Sequence, residues 1–141
     1  MIEVMIVVGI MGLILAMGMP SFVKTLRREG MQKAVHDLDE ACKAARADAI
    51  MNQHTADLVI HPLDGTISAP GFKTASLPKN VDIQIMGVNF VQYEHEDEAK
   101  VHFFPNGTSD EFTIVLQDDQ FQTRQISLDV MTALPDLTVI R

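Results

Sequence analysis

The sequence predicts an α+β fold, in which one long N-terminal helix packs on a small antiparallel β body. Three observations predict it: an uncharged apolar run over residues 4–23, a helical apolar pattern over residues 22–52, and alternating apolar and polar residues beyond residue 54. We therefore divide the chain into residues 1–23, 24–53 and 54–141, within one domain, which suits a length of 141 residues.

The first segment has the length and composition of a membrane span. Val4 to Val23 are twenty uncharged residues, and as a helix they would extend about 30 Å, the thickness of a bilayer core. A cleaved secretory signal is the alternative, but it would begin with basic residues, whereas the first charge here is the acidic Glu3. We expect residues 1–23 to be the transmembrane half of the helix.

Two features of this segment are unusual for a plain anchor. Glu3 stands at the start of the apolar run, where a charge costs about 2.5–3.5 kcal/mol at full depth, so the carboxylate is either paired or solvated at the interface. Gly9, Gly12, Gly18 and Pro20 weaken a soluble helix, but membrane helices tolerate them. We interpret Gly12 and Pro20 as positions where the helix bends.

The string Ile2-Glu3-Val4-Met5-Ile6-Val7-Val8-Gly9-Ile10-Met11-Gly12, followed by Pro20, resembles the N-terminal signature of type IV pilins and type II secretion pseudopilins. The resemblance implies that Glu3 pairs with the N-terminal amine of a neighbouring subunit. It also implies a single-pass protein of the bacterial inner membrane, whose helices bundle in the core of a filament with the bodies outside.

The chain departs from this family at its start. Family members carry a short basic leader ending in glycine, which a prepilin peptidase removes, whereas Met1 directly precedes Ile2 here. We expect a start further upstream or a truncated chain. The basic residues Lys24, Arg27 and Arg28 after the apolar run would place the body in the cytoplasm, but the resemblance implies a periplasmic body, and we adopt that topology.

Residues 24–53 are expected to form the amphipathic half of the same helix, giving one helix near fifty residues long. Apolar residues recur there at spacings of mostly three or four: Phe22, Leu26, Met31, Ala34, Val35, Leu38, Cys42, Ala45 and Ala49. Cys42, the single cysteine, is expected to be a small buried apolar residue. Acid-before-base pairs stand at Glu29 and Lys33 and at Asp39 and Lys43.

The remaining residues alternate as half-buried strands do. Strands are predicted over residues 58–60, 81–85, 101–104, 112–116, 126–130 and 137–140, and we expect them to form two small sheets. Turns are predicted at Asp64-Gly65, Pro70-Gly71, Pro105-Asn106-Gly107 and Asp118-Asp119.

The body extends the resemblance. Ala44 to Ile50 leading into Leu58-Val59-Ile60, and the hairpin segment Val101 to Ser109, are similar to H-type minor pseudopilins, which are grouped with the FimT-like minor pilins. The closing strand of that subfamily carries a Thr-Gly pair, whereas this chain has Thr132-Ala133.

Charge and motifs exclude several other functions. Residues 54–141 carry five Lys/Arg and thirteen Asp/Glu, which accounts for the whole formal charge of −8 and disfavours nucleic acid. No motif for catalysis or a cofactor is present, so we expect no enzyme, no catalytic residue, no cofactor and no metal.

The acidic run 94–98 is the best candidate cation site, although such runs are usually solvated loops. Asn106-Gly107-Thr108 is interpreted as a tight turn in preference to a glycosylation site, and His54, His61, His95 and His102 receive no role.

The sequence therefore predicts a minor pseudopilin of a type II secretion system. One alternative is a minor pilin of a type IV pilus or competence system, including DNA uptake. Another is a single-pass protein with a ligand-binding ectodomain.

Overall fold

The protein consists of one long helix followed by a β body. The computed structural model describes residues 1–140, apart from the side chains of residues 19–24, 26 and 27 within the helix. The elements are α1 (Ile2–Asn52), β1 (Ala56–His61), β2 (Thr66–Ala69), β3 (Phe72–Ser76), β4 (Val81–Val88), β5 (Val91–Gln92), β6 (Ala99–Phe103), β7 (Phe112–Asp118), β8 (Thr123–Leu128) and β9 (Pro135–Ile140). Helix α1 spans 51 residues, in agreement with the predicted length.

The strands form two antiparallel sheets. The first has the order β3-β2-β1-β6, and the second has the order β5-β4-β7-β8-β9. The predicted α+β class with two antiparallel sheets is confirmed. Each of the six predicted strands has a counterpart, but the strand predicted over residues 126–130 ends at Leu128, and β2, β3 and β5 were not predicted.

The second half of α1 lies against both sheets through a stripe of small and apolar side chains. Seven residues are buried there: Met31, Ala34, Leu38, Ala41, Cys42, Ala45 and Ala49. Alanine at four of these positions lets the helix axis approach the sheets closely, and Leu38 is the largest side chain of the helix that is fully buried. The predicted stripe is confirmed over residues 31–49, whereas the side chains of Phe22 and Leu26 lie outside the described residues.

The strands complete the core with alternating side chains. In β7 every second residue from Phe112 to Asp118 is buried, and Phe103, Leu58 and Ile60 bring the first sheet into the same cluster. The helix and both sheets thus share one hydrophobic core, which holds the body rigidly on the C-terminal half of α1.

One predicted ion pair differs in the structure. Lys43 pairs with Asp39 at 2.6 Å as expected, but Lys33 Nζ lies 2.6 Å from Asp37 Oδ2, where Glu29 had been predicted as the partner. Glu29 and Asp37 both lie one helical turn from Lys33, and Lys33 forms its ion pair with Asp37.

The large apolar side chains of α1 from Ile2 to Met17 are exposed. Judged on the side chains that the structure describes, no helix contains a stretch long and apolar enough to cross a membrane. The predicted span over residues 4–23 includes residues 19–23, whose side chains are not among those described.

Candidate functional site

The N-terminal part of α1 presents an apolar surface on all sides. Its large apolar side chains from Ile2 to Met17 are between 53% and 77% exposed. Soluble monomers rarely expose a contiguous apolar surface of this extent, and one that does usually meets a membrane or another protein there. This part of the helix is the candidate functional site.

Glu3 lies in the first turn of this exposed helix. Its side chain is exposed, and it forms no ion pair with the residues described. The backbone N–H groups of the first turn point toward the N-terminus, where the positive end of the helix dipole stabilises a carboxylate. Among the described residues, the Glu3 carboxylate is therefore left open to solvent. The predicted pairing with a neighbour's amine stays a prediction.

Two glycines of this segment, Gly9 and Gly12, leave one face of the helix without large side chains. A Cβ atom added at Gly9, Gly12 or Gly18 would meet nothing within 4 Å, so no contact made by the described residues requires these glycines. At about 100° of rotation per residue, Gly9, Gly12 and Ala16 lie within a sector of about 60°. Small residues on one face allow another helix to approach closely. The predicted bend at Gly12 and Pro20 stays a prediction, and the side chain of Pro20 lies outside the described residues.

The acidic run 94–98 does not converge on a cation site. Glu98 Oε1 lies 2.8 Å from Lys100 Nζ, and this hydrogen bond lowers the pKa of the Glu98 carboxyl. Glu94 is mostly buried and its Oε2 has no hydrogen-bond partner, whereas the side chain of His95 is 91% exposed. Across the described part of the chain, no three His, Cys, Asp or Glu side chains are grouped as metal ligands would be.

His102, to which the sequence assigned no role, belongs to a polar cluster at the base of a hairpin. Its Nδ1 lies 2.6 Å from Asp110 Oδ2 and its Nε2 lies 3.7 Å from Asp57 Oδ1. Partial burial raises the pKa of the Asp110 carboxyl, but hydrogen bonds from His102 and Asn89 outweigh it, so this pKa lies below its usual value. The cluster was missed because Asp57, His102 and Asp110 come from three separate segments.

The turn at Asn106 and Gly107 is confirmed. Gly107 has a φ of 86°, and Asn106 Oδ1 accepts hydrogen bonds from the backbone N–H and the hydroxyl of Thr108. Gly107 packs beside Arg46 and Ile50 of the helix. Arg46 Nε in turn donates to the carbonyl of Thr132 at 2.9 Å. This end of the body is thereby tied to the C-terminal turns of α1.

A groove opens between α1 and the β8–β9 edge of the second sheet. Its volume is about 480 Å³, and apolar and polar side chains line it in equal number, the polar ones including Arg28, His36, Asp39 and Arg124. The groove is formed by elements some ninety residues apart in the chain, so no local sequence pattern predicts it.

Comparison with known proteins leaves the family open. No protein-family model matches the chain, and neither does a curated protein or a solved structure. The resemblance of the first residues to pilins and pseudopilins stays a prediction.

Proposed function

We propose that this protein is a pilin-like structural subunit, a minor pseudopilin of a type II secretion system. It is held in the bacterial inner membrane by the first half of α1, with its body in the periplasm, and it assembles with other pilin-like subunits into a filament. A prepilin peptidase processes it where an upstream leader is present. The protein has no catalytic role.

One observation carries the proposal: a single helix is buried in the body over one half and apolar on every side over the other. A helix that served only this body would begin near Gly30, just before the first buried residue, Met31. Helix α1 instead begins at Ile2. The exposed half needs an apolar environment, which a bilayer supplies before assembly and neighbouring helices supply afterwards.

Glu3 gives this assembly a register. In apolar surroundings an unpaired carboxylate is strongly unfavourable, and a neighbouring subunit's N-terminal amine would neutralise it. Because the charge lies at one position of an otherwise uncharged surface, only one longitudinal offset between two helices satisfies it. The glycine face at Gly9 and Gly12 allows the close approach that such a pair of helices needs.

The proposal is tested by placing a photo-cross-linking residue at Ile10, an exposed position of α1, in cells that express the full chain with its secretion system. We expect adducts with neighbouring subunits in the parent and a strong loss of adducts in Glu3→Ala, while both proteins stay in the membrane after carbonate extraction. Glu29→Ala is the matched control, since Glu29 is also an exposed acid of α1 but lies outside the apolar half. Equal adduct yields from Glu3→Ala and the parent would contradict the proposed pairing.

The acidic body argues against the DNA-uptake alternative. Residues 54–141 carry thirteen Asp/Glu against five Lys/Arg, and phosphate binding depends on cations that displace counterions. We expect no gel shift of duplex DNA at low salt, and a shift that disappears in high salt would favour the competence role instead.

A further inference from the structure

The groove beside β9 exposes side chains that belong to the inner face of the sheet. In the pairing of β8 with β9, Arg124 is opposite Val139 and Ile126 is opposite Leu137. Ile126 is only 2% exposed, whereas Leu137 and Val139, on the same face, are 48% and 51% exposed. The core therefore stops one strand short of the sheet edge, and the last strand leaves its inner apolar side chains uncovered.

Strand β9 is also open along its backbone. Among the described strands it pairs with β8 only, so the N–H and C=O groups on its other side have no ladder partner. Few residues of β9 would prevent another strand from pairing with this edge: Pro135 is its first residue, and Asp136 is its single charge. The last three residues, Thr138, Val139 and Ile140, favour strand pairing. An edge of this kind is a template for an additional strand.

The charges beside the groove identify the chemistry of that strand. Arg28 and Arg124 line it, and neither forms an ion pair with another described residue. The acid on its wall, Asp39, is already paired with Lys43 at 2.6 Å. In a protein with a net charge of −8, this groove is a local cationic site that favours carboxylates.

We propose that β9 and this groove bind an extended acidic segment of a partner protein as an added β-strand. Every second side chain of the segment would face the groove, with apolar ones covering Leu137 and Val139 and carboxylates on the same face meeting Arg28 and Arg124. The proposal relies on the proposed function only for the source of the segment, which is another subunit of the filament.

The test uses the full chain in mild detergent and a fluorescent peptide of about seven residues, in which aspartate and valine occupy every second position and therefore share one face, with threonine between them. We expect saturable binding by fluorescence anisotropy, and we expect Arg124→Glu to weaken it about tenfold, as loss of a charge-assisted contact should. Lys73→Glu is the matched control, because Lys73 is an exposed cation on β3, an edge strand of the other sheet that does not line the groove, and it should leave the affinity unchanged.

Changing the peptide instead of the protein tests the proposal without the risk that a variant fails to fold. Methylating alternate backbone nitrogens along one edge of the peptide should abolish binding, whereas methylating those of the other edge should preserve it. A peptide with lysine in place of aspartate should bind weakly to the parent and more strongly to the Arg28→Glu/Arg124→Glu variant. Equal binding of both peptides, no binding of either, or insensitivity to both methylation patterns would overturn the proposal.

Two further measurements distinguish peptide binding at the groove from dimer formation and from assembly through Glu3. A concentration-dependent dimer that Arg124→Glu abolishes and the peptide does not displace would overturn the proposal in favour of a contact between two copies. Glu3→Ala should bind the peptide with the parent's affinity, since Glu3 lies far along α1 from Arg28. Failure of the Glu3 cross-linking experiment would thus leave this site unaffected, and failure of peptide binding would leave the assembly mechanism intact.

Discussion

The imidazole of His102 and the carboxylate of Asp110 are 2.6 Å apart, measured from Nδ1 to Oδ2, across the hairpin that joins β6 to β7. The same carboxylate oxygen accepts the backbone N–H of His102 at 3.1 Å, and the backbone N–H of Asp110 donates to the carbonyl of His102 at 3.0 Å. An ionised carboxylate only accepts hydrogen bonds, so Nδ1 of His102 carries the proton it donates. Asp110 thereby joins the two ends of the hairpin through side chain and backbone together.

Acid should weaken the body through Asp110. Its folded-state pKa lies below the ordinary value, so its stabilising contribution is complete above the unfolded pKa of about 3.9 and is lost as pH falls through the folded pKa. We expect Asp110→Asn to lower the free energy of unfolding at pH 7 by about 1–3 kcal/mol and to flatten its decline below pH 4. Urea unfolding followed by circular dichroism at a series of pH values measures both effects.

The control for Asp110 is Glu96→Gln, which changes an exposed carboxylate in the loop before β6. It should leave both the stability at neutral pH and the acid dependence close to those of the parent. An Asp110→Asn variant with the parent's full loss of stability in acid would show that other groups govern the transition.

Cys42 should be unreactive in the folded protein. Its side chain is fully buried on the inner face of α1, and burial together with the nearby Asp39 carboxylate raises the pKa of the thiol to about 12. Because the thiolate is the reactive species, labelling by a disulfide reagent at pH 8 should proceed only as fast as the body opens. Rapid stoichiometric labelling of the native protein, measured by absorbance of the released thiol, would contradict this placement.

The stabilities of two Cys42 variants test the same burial. Cys42→Ser places a polar hydroxyl in the apolar core, where the carbonyl of Leu38 one turn earlier is its ready acceptor but its own lone pairs stay unsolvated, and we expect it to cost about 1–3 kcal/mol more than Cys42→Ala costs. Chemical denaturation of the two variants gives the difference directly. Equal stabilities would indicate that water or a polar group reaches this site.

Two leucines on α1 should differ sharply in their importance for stability. Leu38 is fully buried in the shared core, so Leu38→Ala should lower the free energy of unfolding by about 2–5 kcal/mol. Leu15, on the exposed half of the same helix, is 65% exposed, and Leu15→Ala should change the stability of the body little. Urea denaturation in detergent compares the two, and similar losses would show that the first half of α1 also belongs to the folded core.

Gly12 should matter for assembly and not for folding. A Cβ there meets nothing within 4 Å, so both Gly12→Ala and Gly12→Leu should unfold at the parent's temperature. If neighbouring helices approach along this face, adducts of the Ile10 cross-linker should fall slightly for alanine and strongly for leucine. Undiminished adducts from the leucine variant would place the inter-helix contact on another face.

Local patterns made much of the architecture predictable. The spacing of Ala34, Leu38 and Cys42 specified which face of α1 is buried, and the alternation in residues 81–85 and 126–128 specified two strands of the second sheet. The glycine turns at Gly65 and Gly71 were also predicted, and both glycines have positive φ. Strands β2 and β3 between and after them were not, because a strand with a single buried side chain such as Ile67 carries almost no alternating signal.

By itself the sequence determined the long helix, its division into an all-apolar half and a one-sided half, and the position of Glu3, since each depends on residues a few positions apart. Only the tertiary structure decided that His102 meets Asp110 and Asp57, and that β9 closes the sheet while leaving Leu137 and Val139 uncovered over the groove beside Arg28. The physical reason is that pairing between distant strands follows from how the whole chain fills one core, and no short stretch of residues contains that information.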